Sequence, residues 1–145
     1  KDKSAHRMKD IIEKGVTGMF VSHSVNQIRD VCNKCLWLDH GRQIAFDNTY
    51  EVCNAYSYFL FTPKDQRHFP ESKEELYDIS DRFAVAWRLG EMEKQDLEVI
   101  TSDWYRRQNE TQRLQRLLQK EEQLSPAEYQ QILDNIRKSR RVNRK

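Results

Sequence analysis

The chain is sparing with glycine, proline and cysteine, and has no long apolar run. Its four glycines, at 15, 18, 41 and 90, nowhere form the G-x-x-x-x-G-K-[ST] loop that cradles phosphates. The three prolines fall at 63, 70 and 126, where helices are expected to begin or end. Three cysteines, an odd number, fit a reducing compartment better than a disulfide scaffold. No stretch approaches the roughly 20 apolar residues of a membrane span, and no signal peptide opens the chain. Charge of one sign is lacking too: 25 Lys and Arg face 23 Asp and Glu, which argues against a wholesale nucleic-acid binder. Mean hydropathy is −0.95. A chain of this length is one domain, or a small domain with an appendage. Its start at Lys1, directly in a helical pattern, points to a piece of a longer protein.

What is present centres on residues 15–32, Gly-Val-Thr-Gly-Met-Phe-Val-Ser-His-Ser-Val-Asn-Gln-Ile-Arg-Asp-Val-Cys. Thr17 to Val21 reads as a short buried strand extending over 17–22. Ser24 with Gln27 is a capping-box pattern that opens a helix over 24–34, with Val25, Ile28, Val31 and Cys32 on one face. Upstream, Ser4 caps a first helix whose apolar stripe is Ala5, Met8, Ile11 and Ile12, and Gly15 ends it. Helix, strand and helix make a piece of a parallel sheet. His23 stands where the strand ends and the next helix begins, the side of an open α/β sheet on which ligands bind. That placement makes it a candidate phosphate contact. The competing reading is a histidine that only bonds locally.

Cys35-Leu-Trp-Leu-Asp39 and Arg42-Gln-Ile-Ala-Phe46 flank His40-Gly41, which reads as a two-residue hairpin turn. Asn48 and Glu51 then cap a helix with Val52, Ala55, Tyr56, Phe59 and Leu60 at helical spacing, closed by Thr62-Pro63. Residues 63–71 read as a linker. Beyond it, 72–145 is a series of amphipathic helices. Ser72 and Glu75 cap one that carries Leu76, Ile79, Phe83, Ala86 and Trp87 up to Leu89-Gly90. Leu97, Ile100 and Trp104 continue the pattern, followed by Leu114, Leu117 and Leu118. Ser125-Pro126-Ala-Glu128 opens the last helix. The end, 137–145, is strongly basic; such a run serves as a solvated terminus or as a contact for acidic lipid headgroups. Aromatics are not interleaved with it, so no specific nucleic-acid partner is expected.

Cys32-Asn-Lys-Cys35 has the spacing of a redox pair or half a zinc site. No second C-x-x-C completes a tetrahedral set, and the only nearby further ligands are Cys53 and His40. The pair also falls at the end of a helix, not at the N-terminus where a thiolate is stabilised. Small buried hydrophobes are the expected role, and no metal site is assigned.

The run GMFVSHSVNQIRDVCNKCLWLDHGRQIAFDNTYEVCNAYSYFL resembles the end of an ABC-transporter ATP-binding domain, in the subfamily that exports cell-surface polysaccharides such as teichoic acids and O-antigens. In that family a strand ends in a switch histidine, matched here by His23 in Phe-Val-Ser-His-Ser. A helix ending near Asn33-Lys34, a strand like Leu36-Trp37-Leu38, a turn like Asp39-His40-Gly41-Arg42 and a final helix like Tyr50 to Leu60 follow in the same order. Lys1-Asp-Lys-Ser4 also resembles the segment after the family's D-loop. The resemblance covers about residues 1–61.

It implies an α/β fold: the C-terminal fragment of a P-loop NTPase domain of ABC type, with a β-hairpin, over 1–62, and an all-helical extension over 72–145. It implies ATP and Mg²⁺ as cofactors of the complete domain, and His23 as the residue touching the terminal phosphate. A membrane-spanning permease and a second ATP-binding subunit are the implied partners, at the cytoplasmic face of the plasma membrane. Walker A, Walker B, signature loop and Q-loop are absent from these 145 residues, so the chain alone is expected to be inactive. The alternative from another class is a non-enzymatic helical interaction module.

Overall fold

The computed structural model describes residues 7, 10, 13–15 and 18–139. Among them the chain is mixed α/β, mostly helical, with one two-stranded antiparallel hairpin. Ser4, Ala5, Met8, Ile11, Ile12 and Thr17, on which part of the sequence reading rests, lie outside the described residues. Gly15 has φ +88°, the left-handed conformation expected of a residue that ends a helix.

The strand expected over 17–22 is not formed in the part described. Residues 18–22 belong to no regular element, and Met19 and Val21 are 93% and 86% exposed. A strand exists only by pairing its backbone with a neighbour, and among the described residues the only sheet is the hairpin. Within the described residues the expected piece of parallel sheet is therefore not formed. Helix α1 (Val25–Val31) is shorter than the predicted 24–34, because Cys32 is its C-cap and Lys34 already starts β1.

Strands β1 (Lys34–Asp39) and β2 (Arg42–Asn48) pair antiparallel across His40-Gly41, whose φ values of 50° and 76° are both positive. This is what a two-residue turn matched to strand twist requires. Trp37 faces Ala45 while Leu38 faces Gln43, so Ile44 is an extra residue on β2. The bulge breaks strict alternation, letting both Ile44 and Ala45 pack on the core side. Leu36, Leu38 and Phe46 occupy the other face and are exposed.

Helix α2 (Thr49–Phe61) follows at once, with the Asn48 side chain accepting from the Glu51 N–H at 3.1 Å. Residues 63–71 turn the chain back on α2. Arg67 donates to the carbonyls of Thr62 (2.8 Å) and Leu60 (2.7 Å), and the Phe69 ring stacks on Phe59 at 5.0 Å. Helix α3 (Lys73–Glu93) is the longest element, capped by Ser72 as expected. It continues three residues past Gly90, the end predicted from sequence. The glycine serves packing instead: a Cβ there would lie 2.8 Å from Leu117 Cδ1. Short helices α4 (Leu97–Ile100) and α5 (Asp103–Arg107) lead into α6 (Glu110–Glu122) and α7 (Pro126–Ser139). Both α6 and α7 open with reciprocal capping boxes, Asn109 with Gln112 and Ser125 with Glu128.

Two apolar clusters hold these parts together. Trp37, Ala45, Val52, Ala55, Leu76 and Ile79 join the hairpin, α2 and the first half of α3. Trp37 meets Tyr56, Phe59 and Phe69 edge-on at 5.3, 5.3 and 5.9 Å, contacts worth about 0.5–1.5 kcal/mol each beyond their area. Ala86, Leu89, Leu114, Leu117 and Leu118 join the second half of α3 to α6. Arg116 of α6 clamps Glu93 of α3 with two hydrogen bonds, 2.6 and 2.8 Å.

Candidate functional site

His23 lies in a bend ahead of α1 and is exposed. The bend is built by its neighbours. Ser22 Oγ accepts from the Ser24 N–H at 2.9 Å and donates to Gln27 Oε1 at 3.0 Å. Ser24 Oγ accepts from the Gln27 N–H at 3.4 Å, the expected cap. Gln27 thus reaches Ser22 where a capping box would send it to the Ser24 N–H. Both serines of Ser-His-Ser shape the turn, and the imidazole between them faces solvent.

Beside this bend runs an open groove of about 1010 Å³ between α1 and α2 on one side and α3 and the ends of α6 and α7 on the other. Ser24 and Arg29 line it opposite Phe83 and Trp87; His23 is not among its lining residues. His40 is fully exposed in the hairpin turn. Its Nδ1 lies 2.9 Å from Asp39 Oδ2, and the hydrogen bond to Asp39, with that carboxylate's charge, raises its pKa.

The cysteines do not pair as their spacing suggests. Cys32 caps α1, Cys35 lies on β1, and Cys53 is buried in α2. The hydrogen-bonded pair is Cys35 with Cys53: that bond lowers Cys35, with Arg29 acting the same way against burial, and pushes Cys53 well above the ordinary thiol range. Burial, then the neighbouring Cys35, raises Cys32. Among the described residues no group of three or more His, Cys, Asp and Glu is arranged to hold a metal ion. No spacing rule flags a contact between residues 35 and 53, because it forms only when α2 packs on β1.

The teichoic acids export ATP-binding protein TagH of Enterococcus faecalis is 33% identical over 76 residues, 52% of this chain and 16% of that protein. Its counterpart in Bacillus cereus is 31% identical over 77 residues, 50% of this chain and 14% of that protein. In Staphylococcus saprophyticus the figures are 36% over 74 residues, 50% and 28%. The chain is a relative of the teichoic acid export ATP-binding proteins. The resemblance to an ABC-transporter ATP-binding subunit of the polysaccharide-exporting type holds. The chain spans less than a third of the length of each of these three relatives. No protein-family model and no solved structure matches it.

In this relative of the teichoic acid exporters the sequence reading missed a buried polar junction. Glu51 has no exposed surface, and Ser80 of α3 donates to its Oε1 at 2.6 Å. Asn54 Nδ2 donates to the same Ser80 oxygen at 3.3 Å. Glu51 reads in sequence as a capping residue, yet its carboxylate fixes how α2 sits on α3. A glutamate three residues into a helix is so ordinary that nothing in the sequence marks it as buried.

Proposed function

We propose that the chain is the C-terminal part of the ATP-hydrolysing subunit of an ABC transporter that exports teichoic acid, a cell-surface polysaccharide. The observation that carries this reading is the similarity to the teichoic acid export ATP-binding proteins over about half of the chain. Residues 1–62 are the closing portion of a P-loop ATP-binding domain, 63–71 connect, and 72–145 add a helical extension. Exposed Met19 and Val21 and the outer hairpin face of Leu36, Leu38 and Phe46 suit a surface on which the rest of such a domain packs. The subunit works at the cytoplasmic face of the membrane, against a membrane-spanning permease and a second ATP-binding subunit. Among the described residues no helix is long and apolar enough to cross a membrane.

In the complete domain, bound ATP with Mg²⁺ supplies the phosphoryl-transfer chemistry. This chain's contribution is His23. An exposed imidazole, held in a bend by two serines, fits the role of a hydrogen-bond donor to a terminal phosphate and a holder of the attacking water. With no phosphate loop in these 145 residues, binding of Mg-ATP by the isolated chain is expected to be weaker than millimolar. Calorimetric titration checks this, and a micromolar dissociation constant would overturn the assignment of the chain as a partial ATPase. In the complete subunit, His23→Ala is expected to lower kcat far more than it weakens nucleotide binding. Unchanged hydrolysis would reduce His23 to a structural residue.

A further inference from the structure

The last turn of α6 carries an acid in an unusual place. Glu121 is 6% exposed, and its Oε1 has no hydrogen-bond partner among the described residues. An ionised carboxylate so placed is costly unless a cation is committed to it. The cation that acts on it, Arg82 of α3, is already engaged. Its Nε lies 3.3 Å from Asp78 Oδ2 and it shares a hydrogen bond with Tyr58 of α2. The other charged groups that act on Glu121 and its neighbour Tyr129 are acids, Asp78 and Asp81 on α3 and Glu122 on α6. Asp81 is met by Arg137 of α7 at 3.2 Å. Tyr129 of α7 faces the same acids, and burial, then Asp81 and Glu121, raises its phenol.

We propose that Glu121 is a proton-operated latch on the α6–α7 hairpin: its neutral form lets α7 close on α3, and its ionised form weakens that closure. The supporting chemistry sets the pH window. Burial, helped by Glu122 and Asp78 and opposed by Arg82, pushes the Glu121 carboxyl up to about 7. An unfolded or undocked glutamate titrates near 4.3 as a rough reference. The folded chain therefore holds an extra proton between these values. Stability is fully present below the lower one and is lost as pH rises through about 7.

Hydrogen exchange of the full chain at pH 5.5 and 8.0, corrected for intrinsic rates, tests the latch. Protection of α7 amides relative to those of α2 should fall by about tenfold in the unmodified chain. It should stay level in Glu121→Gln, which keeps the shape and never ionises. Glu122→Gln, altering the exposed neighbour, should retain the fall. An equal fall in Glu121→Gln and the unmodified chain would overturn the proposal. So would a ¹³C titration of the unmodified protein in which the Glu121 carboxyl ionises near its ordinary value, a measurement that does not depend on the variant folding.

Discussion

Residues 18–33 and residues 72–139 are built in opposite ways. The first stretch holds the candidate phosphate contact, exposes Met19 and Val21, and orders only a seven-residue helix. The second buries Leu76, Ile79, Phe83, Val85, Ala86 and Leu89 along one helix, opens each long helix with a side-chain cap, and carries nothing that looks like a reaction site. The proposed chemistry and the packing that stabilises the chain thus fall in different stretches, and substitutions should separate them.

The largest effect is expected where the hairpin meets the helices. Trp37→Ala, removing the ring on which Tyr56, Phe59 and Phe69 converge, should cost about 3–5 kcal/mol in urea unfolding. A loss under about 1 kcal/mol would mean that the cluster repacks freely. Next comes the front. In the complete subunit His23→Ala should slow steady-state ATP hydrolysis by about 10²–10³-fold, the usual worth of one positioned donor. His40→Ala, in the exposed turn, is the matched control and should leave the rate near normal. A His23→Ala protein that lost stability in place of rate would erase the contrast. Smaller again is Ser125→Ala, which removes the cap of α7 and should cost about 1 kcal/mol. Val21→Ser, at a side chain already 86% exposed, should change stability of the isolated chain by less than about 0.5 kcal/mol. A clear destabilisation there would show that residues 18–22 are packed in solution.

The same contrast explains what could be read without coordinates. Caps, turns and helix faces are local, so Ser72, Asn48, Ser125 and the His40-Gly41 turn declared themselves in sequence. Pairing is not local. The strand at 17–22 depends on backbone neighbours that the described residues do not provide, and the Cys35–Cys53 contact depends on two elements docking. Gly90 misled because a glycine near a helix end and a glycine under a neighbouring leucine look alike in sequence. His23 is singled out by position and family resemblance; the serine-built bend around it required the structure.

Helix α3 has a mechanical consequence. Its 21 residues span roughly 30 Å, with the first half wedged against the hairpin and α2, the second against α6. Close-packed interiors are stiff and transmit strain. A tilt imposed at the hairpin end cannot dissipate in a loop on the way; it arrives at Gly90, where Leu117 of α6 fills the space a side chain would take. The helix is in that sense a lever, with the buried Glu51–Ser80–Asn54 junction as its fulcrum.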